Sequence, residues 1–152
     1  MNGMKLIVKT VARMTTGVIF LFGSYLALVG HLTLGGGITG GVVLALASVL
    51  EVLAFGNSAE EIKRKMKRAA NLMSMGILLW LAIAVAGWLL PVRGEKIFLS
   101  NFLPKGETGA IISAGVIPLY NFILMLILGN ALFAAFLTLI RFRIKMTEER
   151  QA

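Results

Sequence analysis

The residues that could do chemistry in this chain are few, and most of them are glycines. The run Gly30-His31-Leu32-Thr33-Leu34-Gly35-Gly36-Gly37-Ile38-Thr39-Gly40-Gly41 holds five glycines within positions 35–41. Such a density permits a tight turn, positive backbone dihedrals and close approach of a second backbone. A phosphate loop would need Lys and then Ser or Thr after its last glycine; Val42 and Val43 stand there, so nucleotide binding is rejected. His31 is the sole histidine, and histidine is the side-chain type that changes charge nearest neutral pH. It reads either as an interface residue bonded to a loop carbonyl or as a relay for protons or cations at the mouth of a pathway. Glu51 is the one carboxylate inside an apolar run, where an unpaired charge is costly. Arg13, in the first turn of the oppositely directed first helix, should reach similar depth. A structural Glu51–Arg13 ion pair and a place for Glu51 in a half-channel for protons or Na⁺ are both open.

The missing residue types exclude more. There is no cysteine and no aspartate, which removes disulfides, thiolate ligation and a cysteine nucleophile. One histidine and no aspartate leave little for a catalytic triad or a metal site, and no cofactor is expected. The net charge of +8 comes with no nucleic-acid-binding motif, so no nucleic-acid partner is expected. The basic residues flank apolar runs and read as topology signals.

The elements that must position these residues are membrane helices. At 58% hydrophobic and 14% charged, a chain of 152 residues carries more apolar side chain than a soluble domain of that size can bury. A spanning helix needs about 20 mostly apolar residues. Spans are expected at about 11–29, 38–55, 72–90 and 119–140. The first is longer than a signal-peptide core and shows no evident cleavage site, so it is kept as a span. The apolar stretch 110–140 is too long for one straight crossing, and Pro118 interrupts it; residues 110–117 are expected as a short outer or re-entrant piece. Ser58 with Glu61 three residues on is a capping-box pattern, predicting that the third helix starts near Ala59. Helical stripes of small residues should allow close packing in lipid: Gly23, Ala27 and Gly30; Gly41, Ala45 and Ser48; Ala131, Ala135 and Thr138. The fold class expected is an all-α integral membrane protein, one membrane domain over 1–152, with four transmembrane helices and a break near Pro118.

Orientation follows from basic residues, which short cytoplasmic loops retain. Lys5, Lys9 and Arg13 precede the first span, Lys63 to Arg68 lie between the second and third, and Arg141, Arg143, Lys145 and Arg150 follow the fourth. Only Arg93, Lys96 and Lys105 remain for the other side. Both termini are therefore expected inside, with Lys63 to Arg68 as a solvated, topology-setting segment.

The glycine-rich run resembles the signature of the MnhB family, the B subunit of Mrp-type multisubunit Na⁺/H⁺ antiporters, which is similar to Gly-His-Leu-x-Pro-Gly-Gly-Gly-Phe-x-Gly-Gly. Gly30-His31-Leu32, Gly35-Gly36-Gly37 and Gly40-Gly41 stand at that spacing, with Leu34 in place of the proline and Ile38 in place of the aromatic residue. A second family-like element is Ser113-Ala114-Gly115-Val116-Ile117-Pro118-Leu119, and the resemblance covers most of Met14 to Ile140. It implies a noncatalytic membrane subunit without a redox centre, set beside larger antiporter-like subunits in a bacterial or archaeal cell membrane. It also implies Na⁺ and H⁺ as the ions moved by the complex. Related modules occur in archaeal membrane-bound hydrogenase and sulfane reductase complexes, and the preference for Glu over Asp points to a thermophilic source, favouring those complexes. The alternative is an autonomous small oligomeric ion channel or transporter with Glu51 in its pore. A membrane enzyme is disfavoured by the lack of a nucleophile and base.

Single-cysteine labelling tests the orientation in this cysteine-free chain. Lys65→Cys should react with membrane-impermeant reagents only from the cytoplasmic side, and labelling from outside would overturn the assignment.

Overall fold

The computed structural model describes residues 5–32, 35–89, 99, 101–104, 106, 107, 109 and 113–151. Four helices make up most of it: α1 Leu6–Val29, α2 Gly36–Phe55, α3 Ala59–Leu89 and α4 Ile117–Gln151. All four are long and apolar enough to cross a membrane. Thr33, Leu34, Leu90, Arg93, Lys96, Lys105 and residues 110–112 of the expected outer piece lie outside the described residues.

The helix starts follow local chemistry. Ser58 and Glu61 close a reciprocal cap on α3: the Ser58 amide donates to Glu61 Oε2 at 3.0 Å, and the Glu61 amide donates to Ser58 Oγ at 3.3 Å. Two of the amides orphaned at a helix start are thereby satisfied. Pro118 breaks the chain not by kinking a helix but by sitting in the first turn of one, where its missing N–H costs no hydrogen bond. Ahead of it, Ala114 and Gly115 both take positive φ, 69° and 65°. The Asn101 side chain spans that turn, donating to the Ala114 carbonyl and accepting from the Val116 amide, each at 3.0 Å. At 35 residues and 1.5 Å per residue, α4 is about 50 Å long, well beyond a hydrocarbon core of about 30 Å. Its basic residues at 141–150 therefore belong to a projecting end.

α2 and α4 form the centre. α2 packs on α1 and α4, α4 also packs on α3 and more lightly on α1, and the backbones of α2 and α3 stay apart among the described residues. Two small cores result: Ala27, Leu44 and Met125 join α1, α2 and α4, and Val52, Ile62 and Leu137 join α2, α3 and α4. The glycines set the distances. A Cβ on Gly40 would lie 2.7 Å from the Gly23 carbonyl oxygen of α1. On the other side of α2, a Cβ on Gly41 would stand 3.0 Å from Leu128 Cβ and 3.1 Å from the Met125 carbonyl oxygen of α4. Gly129 answers from α4, its Cβ position lying 2.7 Å from Leu44 Cδ2. In lipid, where apolar burial gives helices little reason to associate, this closeness supplies the packing energy.

Gly40→Ala should therefore lower thermal stability in detergent by about 1–3 kcal/mol, the usual cost of overpacking. Gly17→Ala, with nothing within 4 Å of the new methyl, should be neutral or mildly stabilising. Equal melting temperatures for the two variants would show that backbone approach at Gly40 does not set the packing.

Candidate functional site

Among the described residues, the candidate side chains fall in two polar groupings, one at each end of the bundle. At the first, the glycine-rich run and the segment before α4 meet. His31 Nε2 lies 2.9 Å from Ser113 Oγ, and Nδ1 lies 3.1 Å from the Leu28 carbonyl oxygen. A carbonyl can only accept, so Nδ1 carries the hydrogen; in the neutral ring Nε2 then accepts from the Ser113 hydroxyl. The carbonyl bonded to His31 belongs to the last turn of α1, whereas a loop carbonyl was the expectation. Ser113 is buried, so the ring ties the α1 terminus to the approach of α4.

Gly35 and Gly36 adopt positive φ, 124° and 52°, and turn the chain into α2. A Cβ on Gly30 would collide with the Gly36 backbone, and one on Gly37 with the Asn121 carbonyl of α4. Gly30, Gly35, Gly36, Gly37, Gly40 and Gly41 thus serve a turn and two helix crossings.

The second place is a recess of about 270 Å³ between α2 and α3, floored by α4. Ser48 and Glu51 contribute from α2, Lys65, Arg68 and Leu72 from α3, and Asn130 and Phe133 from α4. Here the structure corrects the expected pairing. Glu51 Oε1 is 3.9 Å from Lys65 Nζ, while the Arg13 guanidinium lies over the Phe55 ring, 5.1 Å from its centroid. Lys9 stands near the same ring at 5.9 Å. The reason lies in the short turn between α2 and α3. Glu51 is one turn before the end of α2, and the second turn of α3 returns Lys65 to the same level. The Phe55 face meanwhile attracts the α1 cations by a cation–π interaction, at a helix C-terminus that carries no basic residue of its own.

The Glu51–Lys65 pair is loose and half open, with side-chain exposures of 51% and 27%. Lys65 also donates to Asn57 Oδ1 at 3.5 Å, and Asn57 Nδ2 donates to Glu61 Oε2 at 3.3 Å. The pair is thus continuous with the cap of α3. Ser48 Oγ and Asn130 Nδ2 each donate to the carbonyl four residues earlier, at 3.1 and 2.8 Å, leaving Ser48 Oγ and Asn130 Oδ1 as acceptors. Among the described residues no group of three or more His, Cys, Asp or Glu side chains could hold a metal ion. His31 and Glu51 are not brought together; they belong to opposite ends of α2. The roles of Lys65, Ser113, Asn101 and Asn57 were not evident from the sequence, although Ser113 opens the second family-like element and the capping box that starts α3 fixes how far Lys65 lies from the turn.

The uncharacterized protein MJ1307 of Methanocaldococcus jannaschii is 32% identical over 136 residues, an alignment covering 86% of this chain and 51% of the relative. The chain thus spans about half the length of the curated relative it matches. The sequence pattern of one family matches residues 7–134, from the start of α1 into α4. The chain belongs to the family of domains related to the MnhB subunit of the Na⁺/H⁺ antiporter.

Proposed function

We propose that the chain is a noncatalytic membrane subunit of an Mrp-like Na⁺/H⁺ antiporter module, standing beside larger subunits that carry most of the proton and sodium movement. The proposed setting is a redox-driven respiratory complex of the membrane-bound hydrogenase or sulfane reductase kind, in a cell membrane with both termini and residues 63–68 on the cytoplasmic side. The observation that carries the accessory role is what the polar groups do. A complete ion path needs several intramembrane ionisable groups or a broken helix that binds the ion. Here the family glycines are taken up by helix crossings, and Glu51, the carboxylate in the apolar run of α2, is paired with Lys65.

One observation favours a second reading. Glu51 is exposed on the outer surface of the four-helix unit, and in a homo-oligomer that surface would line a shared pore. Purification in mild detergent distinguishes the two: antiporter-like subunits should accompany the tagged chain, and a pure homo-oligomer would replace the accessory reading with the channel.

Glu51 and Lys65 are proposed as a structural pair. Glu51→Gln or Lys65→Met alone should lower the yield of assembled complex more than the double variant does, because each single change leaves an uncompensated charge. Antiport in vesicles from the double variant should stay within about twofold of wild type, a shift of under 0.5 kcal/mol. Full assembly with strongly slowed antiport in that variant would place Glu51 on the ion path instead.

A further inference from the structure

The recess between α2 and α3 has a surplus of positive charge that the Glu51–Lys65 pair leaves over. Arg68 lines it, is exposed, and has no acidic partner among the described residues. Within the recess two cations face one carboxylate, so its occupant should be an anion. The position narrows the choice. Arg68 ends the basic stretch that begins at Lys63, and Leu72 opens the apolar run of α3 one turn further. The lining loses its charges in the same direction, from Lys65 and Arg68 to Leu72 and Phe133 beside the uncharged Ser48 and Asn130. A site charged at one end and uncharged at the other, at the level where a basic segment gives way to hydrocarbon, matches the boundary between a lipid headgroup and its chains. Basic pockets between membrane helices are a known form of headgroup recognition.

We propose that this recess binds the phosphate headgroup of an anionic membrane lipid, held by Arg68 and Lys65, with the first carbons of its chains against Leu72 and Phe133. Its size favours a headgroup over a helix from a neighbouring subunit. A volume of about 270 Å³ holds a phosphate and its glycerol, whereas a helix about 10–12 Å across would need a long groove. Glu51 opposes the ligand. Its carboxylate competes for Lys65, so the site is tuned to moderate affinity. Closing the gap between α2 and α3, whose backbones do not touch, would be the ligand's structural effect. The inference holds whichever complex the chain belongs to.

The test is lipid retention by the purified full chain in detergent, read by native mass spectrometry with phosphatidylglycerol and phosphatidylcholine of identical acyl chains. Phosphatidylglycerol should be retained preferentially. Arg68→Gln should reduce its retention roughly fivefold, the effect of one basic residue at a membrane surface, while Lys67→Gln, an equal charge change outside the recess, should change it less than twofold. Glu51→Gln should raise retention by freeing Lys65, a gain that misfolding cannot imitate. Equal losses for Arg68→Gln and Lys67→Gln, or no preference for phosphatidylglycerol, would overturn the proposal. So would a complex in which Arg68→Gln releases a neighbouring subunit while leaving lipid retention unchanged, since the occupant would then be protein.

Discussion

The closeness of α2 to its two neighbours is the constraint on which the rest of the molecule depends. Lipid offers helices no hydrophobic reason to associate, so the bundle relies on dispersion contacts that fall off within an ångström. Glycines let α2 meet α1 through Gly23 and Gly40 and meet α4 through Gly37, Gly41 and Gly129. Once α2 is seated between them, its start must turn sharply, which Gly35 and Gly36 allow with positive φ. The family motif is thus one device that serves a turn and two crossings together.

The same crossings decide where polar groups fall. Holding α2 against α4 brings the end of α1 beside the turn before α4, where His31 and Ser113 meet at 2.9 Å. At the other end, the backbones of α2 and α3 stay apart while their side chains meet, and the gap left between them becomes the recess containing Glu51, Lys65 and Arg68. A charged recess on the surface of a small bundle is costly in hydrocarbon. It persists where a lipid headgroup, water or a neighbouring chain supplies what the bundle does not. The accessory role and the proposed lipid site are consistent with each other on this ground, since both treat the charges as boundary groups and neither requires them to conduct.

The separate fates of Arg13 and Lys65 show how far helix depth can carry an argument. Opposed helices of known start and end do bring residues to common levels, and Arg13 does reach the end of α2 at Phe55. Depth says nothing of azimuth, however, and Glu51 faces a recess walled by α3. Cation–π attraction at Phe55 and the short turn at Gly56–Ser58 divided the basic residues between two acceptors.

Length and apolarity determined the four helices, because runs of about 20 apolar residues have no other stable form in a bilayer. The capping box set the start of α3 through two local hydrogen bonds, and the cyclic side chain of Pro118 required a helix boundary close to it. These features depend on groups near in sequence and were legible there. The order of packing, α1 on α2 on α4 on α3, was not, because small residues line several faces and their spacing does not name a partner. The junctions His31–Ser113 and Glu51–Lys65 depend on that order. They join residues distant in sequence or on separate helices, and only the tertiary packing decides which of the available donors and acceptors come within reach.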